Sequence, residues 1–467
     1  MRVVVCVKPN ATSGTLNPFD ECAYEAALRL PDAEVILLSM APTKHGELLL
    51  SLTRLGAKEA YLLSDAAFAG ADTLATTYTL SLALRKLQPD LVLCGRKTAD
   101  GDTAQVGTGL AVRMGYTLVT EVMTIENTGE HGVCCRTRAG ECVSAPFPAL
   151  LTVERINTLR LPSIRSKVGT LTVWDAASLG ADVTRCGMCG SPTKVLSTFE
   201  NNADRRRCRF ITPSELPPIL ADTRRNDRRN AVLPPAESDK RLDKVWIVGE
   251  KAYDMAKTVS DDMAVIPMCR AEALVKRIRA GRPNAVLFDD TNEGKRLAAS
   301  VATLLETGLC ADCTRLETDG KTLFMFRPAF GGSTVAKLQC TAAPALATVR
   351  TVSKDGADFV ICVGKGAAGA LDAVRTLAAT IGASLAAPRG AVDMGVLPYE
   401  TQVGLTGRTV SPAVYLALGV SGAIHHIVGM RSSGTVIAVN ADKSAPIFDY
   451  ADYGIVAHVK DIVSQFE

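Results

Sequence analysis

The sequence has 467 residues, of which 47% are hydrophobic and 22% are charged, as in a folded protein rather than a disordered or coiled-coil chain. Lysine plus arginine exceed aspartate plus glutamate by only 52 − 49 = 3, and aromatic residues make up 5%. The sequence therefore has neither the basic field nor the stacking rings of a nucleic-acid-binding protein, and we expect no nucleic-acid partner. The length predicts about three domains.

The first part of the chain alternates between strand and helix patterns. Short apolar runs predict strands at residues 3–7, 34–38, 60–63 and 91–94. Apolar residues at helical spacing predict helices at residues 21–30, 46–55 and 71–87. This alternation predicts an α/β fold with a parallel sheet covered on both faces.

Residues 201–243 differ from what precedes them. They contain arginine-rich runs and the pair Pro234-Pro235, which predict a charged linker or arm. A nucleic-acid patch is the alternative interpretation, but acidic residues interleave with the basic ones.

The alternating pattern then resumes twice. Strands are predicted at residues 245–248 and 285–288, and a helix at residues 293–306. A third segment has a strand at residues 358–363, a turn at 364–366 and a helix at 370–381. A glycine-rich junction between a strand and a helix is where α/β proteins bind phosphate groups, although a simple tight turn has the same pattern.

Neither a metal site nor a membrane span is expected. Cys186 and Cys189 form a C-x-x-C pair without a second pair or a nearby histidine, which favours structural or surface thiols over zinc. The uncharged stretch 409–430 is interrupted by Pro412 and by His425-His426, so we reject it as a span. We expect a cytoplasmic protein.

Several motifs, in one order, resemble the electron transfer flavoprotein family. The segments 393–395, 402–410, 419–426 and 445–454 resemble the FAD domain of the alpha subunit, and 327–332 and 347–350 resemble its middle part. The segments 17–21, 94–107 and 148–152 resemble the beta subunit. The resemblance covers nearly the whole chain and implies a beta subunit fused to an alpha subunit, beta first.

This resemblance implies a domain plan. Two Rossmann-like, adenine-nucleotide-hydrolase-like parallel-sheet domains would be followed by a flavodoxin-like, doubly wound FAD-binding domain. The implied bounds are 1–200 for the beta-like domain, 201–243 for the linker, 244–346 for the alpha-like N-terminal domain and 347–467 for the FAD-binding domain.

The resemblance also implies an FAD site in the last domain. Arg389 matches the arginine over the isoalloxazine ring, Thr406 the threonine bonded to flavin N5, and His426 the histidine near O2. The remaining residues implied at this site are Lys365, Pro388, Val403, Gly404, Leu405, Gly407, Ser421, Gly422, Ala423, Ile424, His425, Asn440 and Asp452. Physically, a turn of backbone N–H groups suits a diphosphate, and a cation suits the ring's pyrimidine end. A solvated arginine, a turn threonine and a buried histidine pair are the alternatives.

A second nucleotide site is implied in the beta-like half. Its residues are Cys6, Asn17, Pro18, Phe19, Asp20, Met40, Gly95, Asp100, Gly101, Asp102, Thr103, Ala104, Gln105, Val106 and Gly107. In the family this site holds either AMP or a second FAD that takes a hydride from NADH. Residues 100–107 resemble the electron-bifurcating members, although Thr108 stands where those members often have proline. The alternative for residues 17–20 is an ordinary turn and helix start.

The segment 159–164 resembles the beta-subunit loop that docks an acyl-CoA dehydrogenase-type flavoenzyme. Leu161 and Ile164 would be apolar anchors between Arg160 and Arg165, although a single exposed leucine is also common. The implied function is electron transfer between NADH or such a flavoenzyme and ferredoxin or flavodoxin by bifurcation. The alternatives are a carrier with one FAD and one AMP, and a non-redox nucleotide-binding protein.

Overall fold

The computed structural model describes residues 1–10, 14–98, 101–129, 131–154, 157–200, 206–225, 240–329, 334–350, 358–404, 407–408, 410–431 and 433–463. The strands, in chain order, are β1 Arg2–Cys6, β2 Glu34–Met40, β3 Glu59–Leu63, β4 Leu91–Gly95, β5 Thr117–Thr128, β6 Gly132–Thr137, β7 Cys142–Pro146, β8 Ala149–Val153, β9 Thr170–Trp174, β10 Thr193–Glu200, β11 Arg209–Phe210, β12 Val245–Val248, β13 Met263–Ile266, β14 Ala285–Asp289, β15 Leu309–Cys313, β16 Arg315–Thr318, β17 Leu323–Ala329, β18 Thr334–Cys340, β19 Ala345–Val349, β20 Phe359–Val363, β21 Ser384–Ala386, β22 Val414–Leu418, β23 Thr435–Asn440 and β24 Tyr453–Val456.

The helices, in chain order, are α1 Pro18–Leu28, α2 Gly46–Thr53, α3 Thr73–Leu87, α4 Val106–Met114, α5 Ala176–Leu179, α6 Leu216–Arg225, α7 Tyr253–Ala256, α8 Ala271–Gly281, α9 Asn292–Leu305, α10 Leu371–Ile381, α11 Arg389–Val392, α12 Ile424–Met430 and α13 Val459–Val463. Within the ranges given above, no helix is long and apolar enough to cross a membrane.

The chain forms two compact units. The first unit contains residues 1–198, 236–330 and 336–350, and the second contains residues 199–235, 331–335 and 351–467. The first unit holds a nine-stranded and a five-stranded sheet, and the second a six-stranded sheet. A four-stranded sheet has the order β10-β18-β17-β16. The α/β fold class expected from the sequence is confirmed.

The nine-stranded sheet has the order β7-β6-β5-β8-β4-β1-β2-β3-β9. Its strands from β8 to β9 are parallel, and the edge formed by β5, β6 and β7 is antiparallel. The strands β1 and β8 are almost entirely buried because helices cover both faces of the sheet. The chain leaves β1 toward β2 on one side and later returns to β4 on the other, which creates a topological switch point between β1 and β4.

The two smaller parallel sheets have the same kind of switch point. The five-stranded order β13-β12-β14-β19-β15 places one between β12 and β14. The six-stranded order β11-β24-β23-β22-β20-β21 places one between β20 and β22. Ligands of doubly wound proteins bind at the carboxyl ends of the strands beside such a point.

Most predicted elements lie within three residues of the observed ones, and the helix ends have local causes. The helix predicted from residue 71 begins at Thr73, because the Asp72 carboxylate accepts a hydrogen bond from Ala75 N (3.0 Å) and caps it. The turn predicted at 364–366 continues as a 3₁₀ segment, Lys365–Ala370, before α10 begins at Leu371.

At the switch point of the five-stranded sheet, an aspartate side chain occupies the space beside the strand ends. At the end of β14, the carboxylate of Asp289 accepts hydrogen bonds from Glu250 N (3.1 Å), Lys251 N (2.9 Å) and Ala252 N (3.2 Å). A Cβ on Gly249, whose φ is +98°, would lie 2.1 Å from Asp289 Oδ2. The side chain thus occupies the backbone N–H cradle that a phosphate uses in a nucleotide-binding sheet.

Candidate functional site

At the switch point of the nine-stranded sheet, Asp20 joins the ends of β1 and β4. Cys6 and Cys94 are paired in register on these strands, and α1 begins beside them. The Asp20 carboxylate accepts a hydrogen bond from Lys8 N (2.8 Å), and a Cβ on Gly95 would lie 2.2 Å from Asp20 Oδ1. The strand end therefore requires glycine at position 95.

Asp20 is buried, with 4% of its surface exposed. Burial raises the pKa of this carboxyl to about 7, although hydrogen bonds from Lys8 N and the Asn17 side chain work in the opposite direction. Asn17 also donates from Nδ2 to Lys97 O (3.0 Å), so the turn before α1 is tied to the loop after β4. Residues 17–20 thus form a turn and helix start that also line the switch point.

The loop after β4 carries two cationic side chains, Arg96 and Lys97, that the sequence did not predict as site residues. Lys97 Nζ lies 2.6 Å from Asp102 Oδ1, and burial lowers the pKa of this lysine. The Arg96 guanidinium lies over the Phe19 ring at 5.3 Å and pairs with the fully buried Glu154 (Nε to Oε1, 3.0 Å). Their position directly after Gly95 in the motif was the signal available in the sequence.

The glycine-rich loop that follows is held by residues distant in sequence. Arg327 Nη2 donates to Gly101 O (2.8 Å) and lies 3.3 Å from Asp102 O. Asp102 and Ala104 have φ values of +48° and +56°, so the loop makes left-handed turns here. Thr103 lies between them, and Asp100 lies outside the described residues.

Two expected ligand contacts of this loop have structural partners instead. The buried Gln105 side chain accepts from Thr73 Oγ1 (2.8 Å) and donates to Leu309 O (3.4 Å), so its amide is already satisfied. A Cβ on Gly107 would lie 2.6 Å from Thr152 Cγ2, so this glycine lets α4, which begins at Val106, pack closely on β8.

Of the other expected residues in this unit, Pro18 is the first residue of α1 and Met40 the last of β2. Met40 therefore lies at the same carboxyl edge as Cys6.

In the second unit, two glycines bring the ends of β20 and β22 together. A Cβ on Gly364 would lie 2.1 Å from Gly419 O, and a Cβ on Gly419, whose φ is +62°, would lie 2.6 Å from Ala367 N. Gly366 N donates to Gly419 O (3.2 Å). The loops after β20 and β22 therefore pack backbone against backbone beside the crevice where doubly wound proteins bind ligands.

Two cations lie beside this crevice. Lys365 follows Gly364 directly, and a Cβ on Gly390 would lie 2.6 Å from Lys365 Cε. Arg389 is the first residue of α11, after Pro388, and its half-exposed side chain pairs with Asp393 (Nε to Oδ2, 3.2 Å). The structure thus brings Lys365, Pro388 and Arg389 to one place.

The loop after these residues packs on α12. Val403 N donates to Ala387 O (2.9 Å), and Gly404, with φ +145°, approaches so closely that its Cβ would lie 2.6 Å from His425 O. Gly407 N donates to Gly404 O (3.0 Å). The predicted Leu405 and Thr406 lie outside the described residues.

The turn before α12 is held by backbone contacts. Gly422 has φ +87°, and its Cβ would lie 2.2 Å from Ile447 N. Ile447 N donates to Ser421 O (3.2 Å), and Ala423 directly precedes α12. Ile424 and His425, the first residues of that helix, are exposed.

His426 is a buried, hydrogen-bonded histidine, which is the alternative that the sequence left open. Its Nδ1 lies 3.1 Å from Val403 O and its Nε2 lies 3.1 Å from the Tyr415 hydroxyl. Because a carbonyl can only accept, Nδ1 carries the proton and Nε2 accepts from tyrosine. Burial lowers the pKa of His426 to about 4, so the ring is neutral at pH 7. Nδ1 thus holds the loop at Val403, and Nε2 is bonded to Tyr415.

Two further residues of the expected site have hydrogen-bond partners within the protein. Asn440 Nδ2 donates to Val420 O (2.9 Å), so this side chain supports the turn after β22. Asp452 precedes β24, accepts from Val436 N (2.8 Å) and pairs with Arg206. Asp452 therefore lies at the amino edge of the sheet, opposite the glycine-lined crevice, and is separated from the other predicted residues.

The pair Cys186 and Cys189 is split between two environments. Cys186 is fully buried and donates to Asp182 O (3.4 Å), whereas Cys189 is exposed.

Doubly wound parallel sheets with glycine-lined crevices at their switch points define an α/β protein of the nucleotide-binding class. Residues 5–179 and 240–368 match the family model "Electron transfer flavoprotein domain", and residues 355–431 match "Electron transfer flavoprotein FAD-binding domain". The chain belongs to the electron transfer flavoprotein family. It fuses a beta-like portion to an alpha-like portion that ends with the FAD-binding domain.

Curated relatives of both subunit types match the chain. It is 41% identical over 201 residues to electron transfer flavoprotein subunit beta of Megasphaera elsdenii, covering 39% of this chain and 74% of that protein. It is 33% identical over 239 residues to subunit alpha of Thermoanaerobacterium thermosaccharolyticum, covering 41% and 72%. It is 37% identical over 229 residues to the caffeyl-CoA reductase-Etf complex subunit CarD of Acetobacterium woodii, covering 43% and 87%.

The buried neutral His426 predicts a pH dependence of stability. Its folded pKa of about 4 lies below the unfolded value of about 6.5, so its contribution is complete above pH 6.5 and is lost as the pH falls toward 4. The shift corresponds to about 3 kcal/mol at the acid end. We expect urea unfolding to show a smaller stability loss between pH 7 and pH 4.5 in His426→Gln than in the unmodified protein.

His425→Gln is the matched control, because this neighbouring imidazole is exposed. It should keep the pH dependence of the unmodified protein. An identical pH dependence in all three proteins would contradict the assignment.

Proposed function

We propose that the second unit binds FAD along the carboxyl edge of β20 and β22 and uses it to carry electrons. A bound flavin supplies the capacity to take up and release electrons. Gly364 and Gly419 lack side chains where the two strand ends pack closely at this edge, as in the glycine-rich junctions that bind phosphate groups. Lys365 and Arg389 place positive charge beside it, where charge on an anionic ligand would be stabilised. These residues fit the group that the family's FAD-binding domain takes.

We also propose that the first unit binds a second FAD at the switch point between β1 and β4. This proposal is supported by the match of residues 5–179 to the family model and by the loop that Arg327 holds at Gly101 beside this switch point. Three cationic side chains lie around the loop that ends at Gly107, namely Arg96, Lys97 and Arg327. The alternative occupant is AMP, which would leave the carrier without a site for NADH.

In this proposal, NADH delivers a hydride to the first-unit site and the electrons divide between two acceptors. One acceptor is an acyl-CoA dehydrogenase-type flavoenzyme, and the other is ferredoxin or flavodoxin. The similarity of residues 100–107 to the bifurcating members of the family supports this direction.

Anaerobic titration with NADH tests the second FAD. We expect stoichiometric NADH to bleach part of the flavin absorbance of the purified protein, because only a hydride-accepting flavin reacts with it. Dithionite, which reduces any accessible flavin, is the control for total flavin. Full bleaching by dithionite with none by NADH would contradict bifurcation and support the carrier with AMP.

The segment from Arg160 to Arg165 has the form of a docking loop. Glu25 holds its base through two hydrogen bonds from the Arg160 side chain, both 3.0 Å. Burial alone would raise the pKa of Glu25, but the hydrogen bonds from Arg160 and Arg29 outweigh it and lower the pKa to about 2. Beyond this anchored base, Leu161 and Ile164 are 89% and 99% exposed. We propose that these two side chains insert into the partner dehydrogenase.

Replacing both anchors tests this surface. We expect Leu161→Ala with Ile164→Ala to raise the KM for a purified acyl-CoA dehydrogenase at least tenfold, about 1.4 kcal/mol, because two buried apolar contacts are lost. FAD content and NADH reduction should not change.

Val183→Ala is the control for removing an exposed apolar side chain, since Val183 is 53% exposed in another part of the same unit. It should leave the KM unchanged. A double variant that docks as well as the unmodified protein would refute the assignment of this loop.

A further inference from the structure

Three side chains of metal-ligand type converge at the antiparallel edge of the nine-stranded sheet. Cys134 lies on β6, Cys142 on β7 and Glu126 on β5. Cys134 Sγ and Cys142 Sγ are 3.0 Å apart, and Cys142 Sγ lies 3.4 Å from Glu126 Oε2. The three ligand atoms all lie within 4.8 Å of one another.

The strand register explains why these residues meet. Neighbouring residues of a strand face opposite sides, so Cys135 points into the core and is fully buried while Cys134 points outward. On β5, Ile125 pairs with Cys135 and Asn127 with Cys134, so Glu126 is the extra residue of a β-bulge. A bulge redirects a side chain, and here the carboxylate reaches the outer face beside the two thiols.

The charges around the cluster suit a dication. Arg136 Nε donates to Glu126 Oε1 (2.8 Å), which leaves Oε2 facing Cys142. With both thiols deprotonated, two thiolates and a carboxylate carry −3, and Arg136 reduces this to −2. The hydrogen bonds with Cys134 and Glu126 raise the pKa of the Cys142 thiol to about 11, since the neighbouring groups disfavour another anion. A cation between them removes that repulsion.

We infer that Glu126, Cys134 and Cys142 form a binding site for a divalent cation of borderline softness such as Zn²⁺. Two sulfur ligands and one oxygen ligand leave the fourth tetrahedral position open to solvent, because Cys142 is exposed. Binding releases the two thiol protons to solvent. The site would pin the three edge strands to one another.

The geometry is close to what such a site needs. Tetrahedral zinc with Zn–S bonds of about 2.3 Å separates two sulfur ligands by about 3.7 Å and a sulfur from an oxygen by about 3.5 Å. The Cys142–Glu126 distance of 3.4 Å already fits, and the two sulfur atoms must move apart from 3.0 Å to about 3.7 Å. Rotation of the exposed Cys142 side chain on its edge strand supplies that movement.

A disulfide between Cys134 and Cys142 is the competing chemistry. It would need an oxidant and a closer approach of the two sulfur atoms, to about 2.0 Å. It would also leave Glu126 without a role in the cluster.

Metal retention by the full-length flavoprotein tests the site. The reduced protein is loaded anaerobically with Zn²⁺ or Co²⁺ alone, dialysed against metal-free buffer and analysed for metal per chain. We expect the unmodified protein to retain one more ion than Cys134→Ser or Cys142→Ser, and its Co²⁺ form to show thiolate charge-transfer absorption that both variants lack. Glu126→Gln should bind at least tenfold more weakly.

Cys189→Ser is the matched control, because Cys189 is an exposed thiol elsewhere in the same unit. It should retain metal like the unmodified protein, and equal FAD content in all variants shows that each is folded. Equal metal retention by the unmodified protein and Cys142→Ser overturns the inference. So does a Cys134–Cys142 disulfide found by mass spectrometry in protein isolated anaerobically and free of metal.

Discussion

The backbone N–H groups at the carboxyl ends of parallel strands must be satisfied, and at a switch point the connections leave the two neighbouring strands in opposite directions, so that these groups face a crevice. This chain contains three such crevices. In the five-stranded sheet, Asp289 fills the crevice with its own carboxylate and takes three N–H groups. In the nine-stranded sheet, the Asp20 carboxylate accepts a hydrogen bond from Lys8 N at the strand end, and in the six-stranded sheet Gly364 and Gly419 let the backbone pack closely.

The same constraint explains the supporting residues. Asp20 accepts Lys8 N at one end of the first crevice, and Arg327 reaches 226 positions back in sequence to hold the loop at Gly101. In the second unit, His426 holds the loop through its hydrogen bond with Val403 O, and Tyr415 in turn bonds to His426. These side chains are of types that often bind ligands, so the sequence alone suggests a binding role. In the structure, their hydrogen bonds hold the backbone around the crevice in place.

The alternation of elements and the glycine positions could be predicted from the sequence, because both depend on local patterns. The strand of apolar residues at β20 and the glycine turn that follows it are examples. The order of strands could not be predicted from those patterns, since it depends on pairing between distant segments. For the same reason, the sequence did not indicate that Asp289 accepts three backbone hydrogen bonds or that Asp452 lies at the amino edge of its sheet. The family motifs supplied the function, but not which polar side chains already had protein partners, as Gln105 does.

The number of nucleotides per chain tests the account most directly. The purified protein is denatured, and the released FAD and AMP are separated by chromatography and quantified against chain concentration. The proposed nucleotide site in each unit predicts two adenine nucleotides per chain, and the bifurcating assignment predicts that both are FAD. One FAD with one AMP would contradict the second flavin while keeping both crevices. A single nucleotide, or none, would contradict the assignment of the crevices themselves.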